Sequence, residues 1–450
     1  MIRYHARWVL PIAAPPLAGG TVGVDGGRIA YVGPRAGAPA GVDVELGDAL
    51  LMPGLVNAHT HLELTLMRGF LEDLDFPSWI ARLIAARREV CTTEMLLDAA
   101  RLGVDEGVRA GITTYADTCD SGVAFDAMIE RGVRGIMYQE VFGPDPAQAA
   151  ESLAGLRAKV DALLPRQTAT VRVGVSPHAP YSVSDALFRE TARYASDAGL
   201  PIAIHIAESE PEQALVVAGA GPFAELLRAR SIAVAPRGRT PIELLHRLGV
   251  LDAHPLLVHC VRADPADVGA IAESHCSVAH CPASNAKLGH GIAPLGAFLA
   301  AGIPVGLGSD SMASNNRMDL LGEARLAIVQ QRSRDISHDA LGAVAALNLA
   351  TMGGARALGM GAEIGSLEVG KAADLAAFAL PPHAAPTYGP ESAAVFALHG
   401  APALLTVIAG REVVRDGRLA RTDAGLPGRV QEAADRLQCW LEGRAQGEKR

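Results

Sequence analysis

Eight short runs of apolar and β-branched residues, each closing on polar or charged side chains, constrain this chain more than any other feature. In order they are LMPGLVNAHTH (51–61), GITTYADT (111–118), VRGIMYQEV (133–141), VRVGVSPH (171–178), PIAIHIAE (201–208), PLLVHCV (255–261), HCSVAHC (275–281) and IPVGLGSD (303–310). Between most of them lie Ala/Leu-rich stretches with helical spacing, such as residues 92–110 and 184–199. Strands alternating with helices predict parallel βα units, and eight such units predict an α/β fold of the (β/α)8 TIM-barrel type. Barrel enzymes build their sites at the carboxyl ends of the strands, which is where these runs turn polar.

The barrel leaves both ends of the chain over. Residues 1–50 contain the hairpin-like GGTVGVDGGRIAYVG, and residues 365–420 contain GSLEVGKAADLAAFAL and LLTVIAGREVVRDGRL, strand-and-turn patterns rich in Gly and Asp. The division expected is therefore a small composite β-sandwich from residues 1–53 and 366–425, a barrel over 54–365, and a C-terminal helix and tail over 426–450. The segment 209–243 is unusually long for a connection after the fifth strand, as lids and substrate walls on a catalytic face often are.

Composition excludes several classes. A net charge of −9 with no run of five basic residues lacks the positive surface that nucleic-acid binding needs. No stretch reaches eighteen consecutive apolar residues and the proline-broken N-terminus has no secretory pattern, so neither a membrane span nor export is expected, and the reading is cytoplasmic. Six cysteines without a CxxC pair give no disulfide framework.

Two histidines one residue apart on a strand point the same way, so His59 and His61 can converge on one point. Alone, the pair reads equally well as a hydrogen-bonded polar patch of core. His205 at the end of the fifth run and Asp310 at the end of the eighth add a third imidazole and a carboxylate at matching strand ends. That is a donor set for a hydrolytic divalent metal, with zinc first and iron or manganese suited to the same ligands. The fourth run contains no lysine that could bridge a second ion, so one metal is expected.

Glu208, three residues beyond His205, and His259, ending the sixth run, are the candidates for moving protons, although a solvated loop acid and a structural histidine are their plain alternatives. HCSVAHC resembles a second zinc motif, but adjacent His and Cys on a strand face opposite sides, so His280 is read as a wall of the pocket. Glu63, Arg68, Trp79, Glu140 and His178 complete the candidate substrate-binding set, each equally open to a salt-bridge or packing role.

With these residues in hand, the chain resembles the amidohydrolase superfamily, in its branch of mononuclear metal-dependent deaminases and chlorohydrolases. The resemblance rests on PGLVNAHTHLELTLMRG, HIAE, VHC, HCPASNAKLG and GLGSDSMASNNRMDLLGEAR, in that order, and runs from about residue 20 to residue 415. Cys281 stands where the family usually has Asn and Ser309 where it often has Thr. HTHLEL, FPSWIARLI and QEVFG look most like aminodeoxyfutalosine deaminases, and less like the S-adenosylhomocysteine/methylthioadenosine or guanine deaminases.

The resemblance implies metal binding at His59, His61, His205 and Asp310, and proton transfer by Glu208, His259 and Asp310 as an activated water displaces ammonia from an aminated heterocycle. The expected substrate is a small molecule, an adenine-containing nucleoside such as aminodeoxyfutalosine, and the family leaves room for a homo-oligomer. Two readings compete: a chlorohydrolase or other C–N or amide hydrolase with the same metal site, and a catalytically dead scaffold relative, which would be expected to have lost ligands.

Overall fold

The structure, a computed structural model, describes residues 1–447; the end of the expected tail lies outside the described residues. Its centre is a ring of parallel strands: β1 (Leu55–His61), β2 (Ile112–Cys119), β3 (Arg134–Val141), β4 (Val171–Pro177), β5 (Ala203–Ile206), β6 (Leu256–His259), β7 (Ser277–His280) and β8 (Val305–Leu307). A short continuation, β9 (Asp310–Ser311), follows β8.

Pairing is parallel from β9 through β1, β2 and β3 to β4, and again from β5 to β8, with a parallel bridge between Val175 and Ile202 joining the two arcs. Because β9 pairs with β1 in the register Asp310 to Thr60, the ring closes where the first and last metal-ligand candidates lie.

The run read as one strand, LMPGLVNAHTH, is two strands. Ala49–Pro53 pairs antiparallel with Leu375–Ala379 in a terminal sheet, and only Leu55–His61 enters the barrel. The break falls at Gly54, where a Cβ would lie 2.2 Å from the Thr113 hydroxyl, so no larger residue lets the chain pass β2 there. Both termini contribute to this sheet, which joins Arg418–Leu419, Arg411–Arg415, Leu405–Ile408 and Leu375–Ala379 to Ala49–Pro53, Trp8–Val9 and Leu17–Ala18. It packs on a second sheet, made only from the first 45 residues, through a shared core including Tyr4, Val22, Ile29, Leu51, Leu375 and Val407.

Two helices, α1 (Phe76–Glu89) and α2 (Thr93–Arg109), lie between β1 and β2. Asp75 caps α1 by accepting from the Ser78 N–H, with Pro77 in the first turn, the pattern that starts helices cleanly. The 209–243 segment contributes α3 (Glu210–Ala218) and α4 (Pro222–Ala229), and the described chain closes with α5 (Leu426–Gly447). Among the described residues no helix is long and apolar enough to cross a membrane.

Candidate metal centre and active site

Strand alternation sends His59 and His61 to one side of β1, and β5 and β9 bring His205 and Asp310 opposite them. The Nε2 atoms of His59 and His205 are 3.3 Å apart, those of His61 and His205 3.2 Å, and Asp310 Oδ1 lies 3.3 Å from His59 Nε2 and 3.7 Å from His61 Nε2. A tetrahedral ion with bonds of about 2.0–2.1 Å would hold its ligand atoms roughly 3.3–3.4 Å apart, so the three imidazole nitrogens fit a single divalent cation, with the Asp310 carboxylate beside those of His59 and His61.

Burial favours the neutral imidazole and holds His59, His61 and His205 below the ordinary histidine value. Burial pushes the Asp310 carboxyl the other way, but the His59 hydrogen bond and the neighbouring imidazoles outweigh it and keep Asp310 ionised. His205 Nδ1 donates to the His178 carbonyl at 3.3 Å, which turns its other nitrogen's lone pair to the centre.

Asp310 is fixed as firmly. Its Oδ1 accepts from the Ser311 N–H at 2.7 Å, and its Oδ2 from the Ser284 hydroxyl and, at 3.3 Å, that of Ser314. Left-handed backbone recurs at these strand ends, at Ala207 (φ 51°), His259 (φ 75°), Cys260 (φ 47°) and Asp310 (φ 55°). Non-glycine residues accept such conformations when the surrounding structure over-determines them, as it does at functional sites. Gly308 serves the same end, since a Cβ there would lie 2.9 Å from both the Cβ of His59 and the sulfur of Cys281.

Glu208 sits beside this ring. Its Oε1 is 3.5 Å from His259 Nε2 and 3.4 Å from His290 Nε2. Burial raises its carboxyl, but His259 and the His290 hydrogen bond hold it below the usual range. His259 Nδ1 donates to Asn285 Oδ1 at 2.9 Å, which aims the other ring nitrogen at Glu208.

A cleft opens above these groups, lined by apolar and polar side chains together as small-molecule sites are. His61, His205, Glu208, His259 and Asp310 form its floor, and the apolar wall comes largely from α1, with Phe76, Trp79, Ile80, Leu83 and Ile84. Of the substrate-binding candidates, Trp79, Glu140 and His178 line it. Burial lifts the Glu140 carboxyl to about 8 and lowers the His178 imidazole to about 4.

Three candidates do not line the cleft. Arg68 turns outward to an ion pair with Glu106 on α2, and its side chain is 41% exposed. His280 is buried near His259, because the chain turns at once into the helix Pro282–Lys287 and encloses it. Glu63 is buried beneath the wall, where it meets Arg87, Ser121 and Cys119 instead of the cleft. The 209–243 segment supplies no lining residue either; Phe223 of α4 stacks on Tyr181 with ring centres 4.3 Å apart and props the wall from behind.

Sequence reading missed Arg87 and His290. Arg87 lies eight residues after Trp79 on the same helix face as Leu83, a periodicity that could have found it. His290 sits in the loop after the Pro282–Lys287 helix and carries no periodic signal.

The Amidohydrolase family model matches residues 50–413. A 5-methylthioadenosine/S-adenosylhomocysteine deaminase of Moorella thermoacetica is 32% identical, over 92% of this chain and 94% of its own length. A zinc-bound adenosine deaminase of Xanthomonas campestris is 30% identical and superposes with a TM-score of 0.87, covering 97% of this chain and 98% of its own. An aminofutalosine deaminase of Helicobacter pylori, 21% identical, shares the fold with a TM-score of 0.81 over 92% of this chain and all of its own.

Proposed function

Because the chain belongs to the amidohydrolase family, as a hydrolase of C–N bonds other than peptide bonds, we propose that it deaminates the adenine ring of a nucleoside, with zinc as its metal. His59, His61, His205 and Asp310 would hold the ion, which when bound activates water at neutral pH as a Lewis acid. The reaction forms a C–O bond at the amine-bearing carbon and breaks the C–N bond, and of the two protons of water one leaves on ammonia and the other ends on a ring nitrogen.

The protein's part is to carry those protons. Asp310 accepts the first from the attacking water, with Oδ2 steadied by Ser284 and Ser314. His259, oriented by Asn285, holds the attacking oxygen in line. Glu208, ionised at rest, takes up a proton at its carboxylate and delivers it to a ring nitrogen of the substrate. The apolar wall of α1 covers the ring and excludes bulk water.

The observation that best supports the reading is the position of Glu208: a carboxylate between two imidazoles, next to the cluster of metal-ligand candidates and open to the cleft. The identified relatives favour 5-methylthioadenosine and S-adenosylhomocysteine as first substrates, with aminodeoxyfutalosine beside them for the sake of the HTHLEL and QEVFG motifs.

Ammonia release from the zinc-loaded protein tests it, across these three, adenosine, guanine, cytosine and a chlorinated heterocycle. Ammonia from an adenine nucleoside is the result expected. Chloride release with no ammonia from any amine would move the assignment to a chlorohydrolase, and a protein that takes up no stoichiometric metal would move it to a scaffold.

A further inference from the structure

The outer half of the cleft is chemically unlike its floor. Its walls are Ile80, Leu83, Ile84 and Phe142, and two of these stay open to solvent, Ile84 at 56% and Phe142 at 39% exposure. One guanidinium interrupts the apolar surface. Arg87, in the last turn of α1, has Nη2 2.6 Å from Glu63 Oε1 and 3.8 Å from Asp120 Oδ2.

Glu63 itself is 1% exposed and is held by the Ser121 hydroxyl and the Cys119 thiol, the latter at 3.1 Å. Among the described residues no carbonyl or hydroxyl accepts a hydrogen bond from Arg87, so the rest of its N–H groups are left for a ligand. Since Glu63 lies behind Arg87, the pair turns its positive end to the cleft. Asp120 is engaged by Lys159 at 3.1 Å on the far side. Buried Glu140, with its carboxyl lifted to about 8, does not oppose an incoming anion near neutrality.

Resting on the nucleoside reading, we propose that Arg87 is a specificity-determining residue that binds an anionic group, a carboxylate, on the substituent that the nucleoside carries away from its adenine ring. Ile84 and Phe142 cover the apolar length of that substituent. Glu63 is a positioning residue that acts through Arg87. A guanidinium fits this role because it meets a carboxylate through two parallel hydrogen bonds and stays charged when partly buried, whereas an ammonium offers only a point charge.

The test uses a matched pair of probes, a 5′-S-carboxyalkyl-5′-thioadenosine and its methyl ester, which differ in charge at nearly constant shape. The wild-type ratio of kcat/KM for acid over ester is expected at about 10–100, the worth of a charge-assisted bond. Arg87→Met brings the ratio to about one and Arg87→Lys retains part of it. Glu63→Gln raises KM for the acid without a matching fall in kcat, a split that mere loss of fold would not give. Thermal melting and zinc content accompany each variant.

A wild-type ratio at or below one, or an Arg87→Met ratio equal to that of wild type, overturns the proposal. Equilibrium binding of both probes to wild type and Arg87→Met separates it from the deaminase reading. Tighter acid binding through Arg87 without ammonia release sinks only the activity, and deamination without acid preference sinks only the role of Arg87.

Discussion

Ser284 stands at one remove from the ligand ring, yet its hydroxyl is bound to the carboxylate on which the ring depends. Groups that orient metal ligands typically contribute about 10–100-fold in affinity. Ser284→Ala should therefore weaken zinc binding by about that factor in competition against a chelating indicator, while the melting temperature of the metal-free protein changes little; unchanged affinity would mean that the Ser311 N–H orients Asp310 unaided.

Glu140 allows a second prediction at this scale. Burial lifts its folded value from 4.5 to about 8, so the folded state prefers the protonated acid. The stability this contributes is complete below about pH 4.5 and is lost as pH rises through 8. In Glu140→Gln the fall in melting temperature between pH 6 and pH 9 should be smaller than in wild type, and an equal fall in both would contradict this origin. Glu63 shows where reading one residue at a time stops: its place after the HxH pair suggested a substrate contact, and the Arg87 ion pair gave it a different partner.

At the scale of elements, the cleft depends on how α1 is held. Its outer end is fastened to α5, where Trp440 Nε1 donates to Glu89 at 3.0 Å and Arg444 pairs with the same carboxylate at 3.1 Å. Below them Leu426, Val430 and Leu437 of α5 share a buried cluster with Met67, Leu71 and Trp79, so the last helix supports the wall of the site. Trp440→Ala should speed amide hydrogen exchange over residues 76–89 several-fold and leave β2 and β3 protected, because only the elements fastened by α5 lose contacts. Exchange that rises evenly through the barrel would show that α5 supports the whole fold instead. The alternation of strands and helices was legible because it is local. The division of residues 51–61 into two strands was not, since both halves are apolar and the break follows from Thr113, more than fifty residues later.

For the whole molecule, the join between barrel and terminal sheets carries a buried ion pair. Arg134, at the start of β3, donates from Nε to Asp374 Oδ2 at 2.7 Å, and both side chains are almost fully enclosed. Removing one partner of such a pair strands the other and typically costs about 3–5 kcal/mol, so Arg134→Met should lower the unfolding free energy by that amount, read from the denaturant midpoint. An unmoved midpoint would show that the two parts are held by their apolar contacts alone. The sequence by itself determined the barrel and the residues at its strand ends, His59, His61, His205, His259 and Asp310. That is because a period of two fixes which side a strand residue faces whatever surrounds it. Only the tertiary structure decided the rest: that Glu63 turns away from the cleft, that Arg68 leaves it, that His280 is enclosed, that Arg87 enters it, and that His290 meets Glu208. Those residues sit where strands give way to helices and loops, or are closed over by them, and there a side chain's surroundings are set by contacts with chain far away in the sequence.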